Sequence, residues 1–169
     1  NKNILHNWDF RNPVNQRGAS SYAANGAYTI DRWKLIVATP GTSVTRVAAG
    51  LQLTPGGGIR LGQYFERGLD GLTVTFSAIV DGALVSGTAT MPVSPAVGWN
   101  VTFTSTGGLQ LRVYYDEGGW YAAFYQASGD THVVSAAKLE LGSISPLANA
   151  PPADSGEQLA LCERYFYRA

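Results

Sequence analysis

Short segments in which apolar and polar residues alternate recur along almost the whole chain, and they restrict the fold more than any other feature. The run LTVTFSAIV, residues 72–80, has apolar side chains at every second position: Leu72, Val74, Phe76, Ala78 and Val80. A two-residue period is typical of a β-strand that buries one face, so we expect Phe76 in a core. The Asp81-Gly82 pair that follows favours a tight hairpin turn.

Residues 108–126, GLQLRVYYDEGGWYAAFYQ, predict a second hairpin. One face of its first strand carries Leu109, Leu111, Val113 and Tyr115, and the other carries Gln110, Arg112 and Tyr114. The expected turn is Asp116-Glu117-Gly118-Gly119, and the second strand returns from Trp120. Since side chains can project into solvent at a hairpin end, we expect the Trp120 ring at the surface.

Similar short runs occupy residues 3–10, 27–38, 43–48, 50–54, 58–66, 88–93, 99–106 and 132–142, each bounded by Gly, Pro, Ser or Asn. About ten short strands at this spacing, with no helical pattern before residue 154, predict an all-β sandwich or barrel. Trp33 alternates with Leu35 and Val37, which predicts a core position for its ring.

The composition fits a single domain, residues 1–169, with a neutral partner. Lys and Arg number 12 against 12 Asp and Glu, so no net charge draws the chain to nucleic acid, anionic lipid or a strongly acidic polymer. There is no apolar run of about 18 residues and no basic-then-apolar leader, so we expect assembly in a cytoplasm without membrane insertion. Cys162 is the lone cysteine, which excludes an internal disulfide.

Residues 145–169 combine a crossing segment, a short helix and an aromatic tail. Three prolines predict a segment that crosses the surface: Pro146, Pro151 and Pro152. Asp154 or Ser155 can then cap a short helix. Its apolar stripe, with the run Tyr165-Phe166-Tyr167, predicts a tail docked on its own domain or on a neighbouring copy. The sequence stops at Ala169, so we expect this module to end its polypeptide.

Five stretches in a fixed order carry a resemblance to a known family: NWDFRNPVNQRG, YTIDRWKL, LGQYFERGLDGLTVTFSAIVDG, AAKLELGSISPLA and GEQLALCERYFYR. Together they resemble phage and prophage tail-fibre or appendage domains over nearly the whole chain. Such domains are similar to carbohydrate-binding-module jelly rolls, in which an N-terminal N-x-L-x-N-x-D-F strand and a final K-L-E-x-G strand pair near each other. The resemblance thus implies an all-β jelly-roll sandwich.

The resemblance also implies a virion module on a phage tail or other appendage that touches the host and is assembled in the bacterial cytoplasm. It implies a homotrimer whose partners are host-surface carbohydrate and other phage structural proteins. One structural calcium ion is a secondary expectation, because such jelly rolls often hold one. Asp9, Glu140 and nearby carbonyls would supply hard oxygen ligands. No other cofactor is expected.

The hairpin is the predicted glycan site. A sugar has an apolar C–H face and a rim of hydroxyls, so its site needs a ring for stacking and planar groups that hydrogen-bond to hydroxyls. The hairpin offers both, and the candidate residues are Trp120, Arg112, Tyr114, Asp116 and Tyr121. The alternative is that these rings fill a sandwich core or a subunit interface.

Three functions stay open: glycan recognition, a structural virion module such as a fibre knob or head decoration, and a polysaccharide depolymerase. A depolymerase needs two carboxylates across a cleft, but the acidic residues stand mostly at turns beside Gly. His6 and His132 are far apart in sequence, and no Gly-x-Ser-x-Gly motif occurs. We therefore expect a binding module and no enzyme.

Overall fold

Eleven β-strands form two antiparallel sheets in the computed structural model of the chain, which describes residues 3–142. The strands are β1 (Ser21–Tyr22), β2 (Lys34–Ala38), β3 (Ser43–Val47), β4 (Gly50–Thr54), β5 (Ile59–Tyr64), β6 (Thr73–Val80), β7 (Ala83–Thr90), β8 (Asn100–Thr106), β9 (Leu109–Asp116), β10 (Gly119–Gln126) and β11 (His132–Leu141). One sheet has six strands in the order β1-β3-β4-β11-β6-β7. The other has five, in the order β2-β5-β10-β9-β8, and the chain passes repeatedly between the two sheets, as in a jelly roll.

The two sheets pack face to face because each strand buries one side. Phe76 of β6 is fully buried, and its ring meets Phe103 of β8 and Phe124 of β10, with ring centroids 6.0 and 5.9 Å away. Both partners belong to the opposite sheet, so these rings fill the space between the layers. Trp33 is also fully buried in this core. The predictions of a β-sandwich and of core positions for Phe76 and Trp33 are confirmed.

Both predicted hairpins form with the expected turns. Asp81 and Gly82 connect β6 to β7 and have φ of 50° and 81°. Two successive positive φ values match the strand twist, as in a type I′ turn, and Asp and Gly are among the residues that tolerate them. In the second hairpin Gly119 pairs with Asp116, so Glu117 and Gly118 form the loop between β9 and β10.

Residues 3–10 were expected to form a strand, but they make only an interrupted ladder along β11. Ile4 donates to the Leu139 carbonyl at 2.8 Å, and Phe10 donates to the Ser135 carbonyl at 3.0 Å. Between them Asn7 has a φ of 49°, which turns the backbone out of the extended conformation and prevents a continuous strand. The pairing of the N-terminal segment with the last strand, implied by the family resemblance, is nevertheless present.

The edges of the two sheets approach each other closely at Gly87 of β7. A methyl group at this position would overlap the carbonyl oxygen of Phe103 in β8. Phe103 is also the extra residue of a bulge in β8, where the register to β9 shifts between Thr102 and Thr104. Only glycine therefore fits where the six-stranded and five-stranded sheets close along this edge.

A buried histidine at one end of the sandwich contacts the two turns β6–β7 and β8–β9. His132, at the start of β11, has Nδ1 at 2.6 Å from Asp81 Oδ2 and Nε2 at 2.8 Å from the Gly107 carbonyl. Asp81 belongs to the β6–β7 turn, and Gly107 to the β8–β9 turn. The ring is buried, and these two partners give both of its nitrogens the hydrogen bonds that a buried polar group requires.

No residue among 3–142 lies in a helix, which agrees with the absence of a helical pattern before residue 154. The predicted crossing segment, short helix and docked aromatic tail of residues 145–169 lie outside the described residues.

Candidate functional site

The predicted hairpin lies in the five-stranded sheet, and four of the five candidate residues lie on its outer face while the fifth faces the core. Arg112, Tyr114 and Tyr121 point to the outer face of the sheet. Asp116 is the last residue of β9 and lies on the same face as Arg112 and Tyr114. Trp120 points the other way because it lies opposite Tyr115, and cross-strand partners share a face. The expectation that the Trp120 ring projects into solvent is therefore wrong.

Trp120 is part of the core. Its side chain is 4% exposed, and it makes edge-to-face contacts with Trp99 and Tyr115, with ring centroids 5.9 and 5.2 Å away. The indole Nε1 donates a hydrogen bond to Asp70 Oδ1 at 3.1 Å. A buried Trp with its N–H satisfied in this way is typical of a structural residue.

Strand register places the outward side chains in three rows across β5, β10 and β9. The first row is Tyr64, Tyr121 and Tyr114, the second is Gly62, Ala123 and Arg112, and the third is Arg60, Tyr125 and Gln110. The small residues of the middle row leave room for the long side chains on either side to lean over them. We call Arg60, Tyr64, Arg112, Tyr114, Tyr121 and Tyr125 the tyrosine–arginine face.

The tyrosines of the first row pack tightly against each other. Tyr114 and Tyr121 are stacked, with centroids 4.8 Å apart and ring planes within 7°, and Tyr64 lies 4.6 Å from Tyr121 on the next strand. Tyr114 is 4% exposed and Tyr121 is 2% exposed. The faces of these two rings are therefore occupied by neighbouring side chains, and neither ring presents a flat surface to solvent.

Two guanidinium groups lie over the tyrosine rings. The Arg60 guanidinium carbon is 4.4 Å from the Tyr114 centroid, and Arg60 Nη1 donates to the Tyr121 hydroxyl at 3.2 Å. The Arg112 guanidinium carbon is 4.8 Å from the Tyr125 centroid. Arg112 Nε donates to the Thr102 hydroxyl at 2.8 Å. Cation–π contacts and hydrogen bonds thus hold both planar groups in fixed positions on the outer surface.

These contacts also determine the protonation states of Arg60 and Tyr121. Burial lowers the pKa of the Arg60 guanidinium, but Tyr114 and Tyr121 beside it outweigh that effect and raise the pKa overall. Burial raises the pKa of Tyr121, and the nearby Arg60 offsets this only in part. The arginine is therefore charged and the tyrosine hydroxyl is neutral across the ordinary pH range.

Asp116 is held at the end of the first row. Its Oδ2 accepts a hydrogen bond from the Tyr64 hydroxyl at 2.6 Å, and its Oδ1 accepts one from the Gly118 amide at 2.8 Å. Burial and then this hydrogen bond to Asp116 raise the pKa of the Tyr64 hydroxyl. The carboxylate is thus oriented by the hairpin turn and by a tyrosine of the neighbouring strand.

The sequence reasoning placed Tyr125 beside Tyr121 across the hairpin but missed Arg60 and Tyr64 as partners of this site. A signal for both exists in GIRLGQY, where Arg60, Gly62 and Tyr64 alternate with Ile59, Leu61 and Gln63. The alternation places them on one face of a strand. Nothing in the local pattern shows that β5 lies beside β10, because that pairing joins residues about 60 positions apart.

A cleft of 440 Å³ opens beside the tyrosine–arginine face, next to the β9–β10 turn. Its lining includes Tyr28, Arg32, Lys34, Tyr64, Arg67 and the buried Trp120. We call it the end cleft. Because Gly62 and Tyr64 line it too, the end cleft and the tyrosine–arginine face form one continuous surface.

The calcium expectation finds no assembled ligand set among residues 3–142. This part of the chain contains no group of three or more His, Cys, Asp or Glu side chains placed to hold a metal ion. Asp9 pairs with Ala136, four residues before Glu140 on the same strand, so the two carboxylates are not neighbours. Glu140 Oε2 lies 3.2 Å from Lys138 Nζ, and both side chains are fully buried.

Comparison with known proteins adds no relative. The sequence matches no family model, and neither the curated proteins nor the solved structures show a significant similarity to it. Among the residues that the structure describes, none forms a helix long and apolar enough to cross a membrane.

Proposed function

We propose that this chain is a glycan-binding module of a phage appendage, and that it binds host-surface carbohydrate through the tyrosine–arginine face. The observation that carries the proposal is the pair of guanidinium groups held by tyrosine rings on the outer surface of the five-stranded sheet. The phage setting, and the location on a virion, follow from the sequence resemblance alone.

The chemistry of the face suits the hydroxyl rim of a sugar. Each guanidinium presents several N–H donors in a fixed plane, and Asp116 and Gln110 add acceptors nearby. Because Arg60 and Arg112 are already held by rings and hydroxyls, little side-chain entropy is lost when a ligand binds. Tyr125 and Tyr64 are only partly buried, so they remain as apolar contacts for C–H groups.

The role of Tyr114 and Tyr121 differs from the one predicted. Their ring faces are covered, so they support the guanidinium groups and do not stack on the sugar. This covering also favours the second candidate, a structural virion module whose face contacts another phage protein. A depolymerase remains the third candidate, and it is distinguished by release of reducing ends.

A binding assay with matched variants tests the proposal. The purified chain is applied to a glycan array and to host cells, beside Arg112→Ala, Tyr125→Ala and the control Arg46→Ala on the six-stranded sheet. Removing Arg112 or Tyr125 should weaken binding by about 1–3 kcal/mol without lowering the melting temperature much, whereas the control should bind normally. A folded Arg112→Ala, Tyr125→Ala double variant that binds like the wild type would reject this site.

The proposed homotrimer has its own measurement. Light scattering at micromolar concentration should give three times 18.0 kDa. Three weak sites on one tip would then act together, and avidity can raise the apparent affinity by about 10²–10⁴. A monomer at this concentration would contradict the trimer but not glycan binding.

A further inference from the structure

We infer that the glycan carries an anionic group, a carboxylate or a phosphate, and that the end cleft binds this group. The inference rests on the proposed function, because it treats the end cleft as an extension of the tyrosine–arginine face. The overall composition favours a neutral partner, but the residues that line the end cleft and its neighbour carry an excess of positive side chains, which favours an anionic group there.

Positive side chains gather around the exposed ring of Tyr28. The Arg17 guanidinium carbon lies 5.3 Å from the Tyr28 centroid and Lys34 Nζ lies 5.8 Å from it, while the ring itself is 46% exposed. Arg32 and Arg67 line the end cleft beside them. A second cleft of 440 Å³ shares Tyr28 and Arg32 with the first and extends to Arg17.

Cationic side chains outnumber acidic ones among the residues that line the two clefts: Arg17, Arg32, Lys34 and Arg67 against Asp31 and Glu66. Two further carboxylates at the rim are already hydrogen-bonded, since Asp116 accepts from Tyr64 and Asp70 accepts from Trp120. Asp31 is already engaged, because its Oδ1 accepts the Gln16 amide at 3.0 Å and lies 3.6 Å from Arg17. Within residues 3–142, Arg32 and Arg67 are both exposed, and neither has an ion pair or a side-chain hydrogen bond. Two guanidinium groups therefore remain available to a ligand.

Arg32 occupies a backbone position where glycine is the usual residue. It is the third residue of a turn in which Trp33 donates to the Ile30 carbonyl at 3.1 Å, and its φ is 75°. A type II turn requires such a positive φ, and Gly or Asn normally supplies it. An arginine here opposes the local preference, and the turn aims a long cationic side chain into the clefts. A residue that breaks the local rule in this way is expected where its side chain has a function.

The ligand chemistry follows from these groups. A guanidinium binds a carboxylate or a phosphate through two parallel N–H···O hydrogen bonds, which a neutral hydroxyl cannot match. The continuous surface would let one saccharide place sugar rings on the tyrosine–arginine face and an acidic substituent in the end cleft. Host polysaccharides with uronic acid or phosphate substituents have this chemistry.

Matched saccharides provide the test. A glycan array carries bacterial surface polysaccharides that contain uronic acid or phosphate, each printed beside its carboxyl-reduced or dephosphorylated counterpart. The wild-type chain should bind the anionic member of a pair at least about tenfold more tightly. This preference should shrink when the salt is raised to about 1 M, because added ions screen exposed charges. Comparison of the two kinds of pair shows whether carboxylate or phosphate is preferred.

Variants of the cleft separate the inference from the proposed function. Arg32→Gly and Arg67→Gln should each weaken binding of the anionic saccharide by at least about tenfold and leave the neutral counterpart unaffected. Arg32→Gly should keep or raise the melting temperature, because glycine suits the turn. Arg46→Gln, with the same loss of charge on the other sheet, is the control.

The outcomes are distinct. Equal binding of both members of each pair, or full binding by folded cleft variants, would overturn the anionic-group inference while leaving glycan binding in place. Absence of binding to every saccharide would overturn both. If Arg46→Gln loses as much binding as the cleft variants, the effect of charge is not specific to the cleft. That result would also overturn the inference that the end cleft binds the anionic group.

Discussion

Replacement of Trp120 by Ala should destabilise the fold, because the ring is a core residue and not a surface platform. The side chain is 4% exposed, contacts Trp99 and Tyr115, and donates a hydrogen bond to Asp70. Truncation of a buried Trp to Ala typically costs about 3–5 kcal/mol of unfolding free energy. In a domain of this size about 1 kcal/mol lowers the melting temperature by roughly 3 °C, so we expect a fall of about 10–15 °C.

A second variant shows how much of this loss comes from the ring itself. Trp120→Phe keeps most of the apolar volume and loses the hydrogen bond to Asp70, whose exposed carboxylate can return to water. We expect a smaller loss, about 1–2 kcal/mol. Thermal and urea unfolding of both variants provide the measurement. If Trp120→Ala unfolds within about 1 kcal/mol of the wild type and yet loses glycan binding, the inward orientation is wrong.

Three further predictions, one of them with a matched control variant, test the sandwich. Phe76→Ala should lose about 3–5 kcal/mol in thermal melts, and a loss below about 1 kcal/mol would mean that the faces of β6 are assigned wrongly. Gly87→Ala should lower the free energy of unfolding by at least about 2 kcal/mol, because the added methyl overlaps the backbone of β8. Gly68→Ala is the control and should lose far less, because its methyl would meet only ordinary van der Waals contacts. Equal losses in the two variants would contradict the close approach of the sheets at Gly87. Burial lowers the pKa of His132, but hydrogen bonds to Asp81 and Gly107 raise it above the ordinary 6.5. The protonated ring thus stabilises the fold below about pH 6.5, and this contribution is lost as pH rises through the raised pKa. Asp81→Asn should flatten that pH dependence, and an unchanged slope would exclude the pair as its source.

The fold class could be predicted because strand periodicity and turn chemistry agree along the chain. Phe76 and the Asp81-Gly82 turn follow directly from the alternation in residues 72–80 and from a dipeptide that accepts positive φ. Residues 3–10 show the limit of this reasoning. Their composition resembles a strand, but one left-handed residue, Asn7, interrupts the ladder with β11.

The candidate site could be predicted only in part. The hairpin and the outward positions of Arg112, Tyr114 and Tyr121 follow from the two-residue period, and the same period should have placed Trp120 inside with Tyr115. The contribution of β5 could not be predicted, because Arg60 reaches Tyr114 only through a pairing between strands far apart in sequence. The end cleft depends likewise on loops from separate parts of the chain.

The most direct test of the tyrosine–arginine face is the location of a bound saccharide. Isotope-labelled protein is titrated with the oligosaccharide that binds most strongly on the array, and amide and side-chain chemical shifts are followed by NMR. We expect the largest changes at Arg60, Arg112 and Tyr125, with little change on the six-stranded sheet. Changes confined to the six-stranded sheet, or a saturable interaction that leaves these three residues unshifted, would contradict glycan binding at this face.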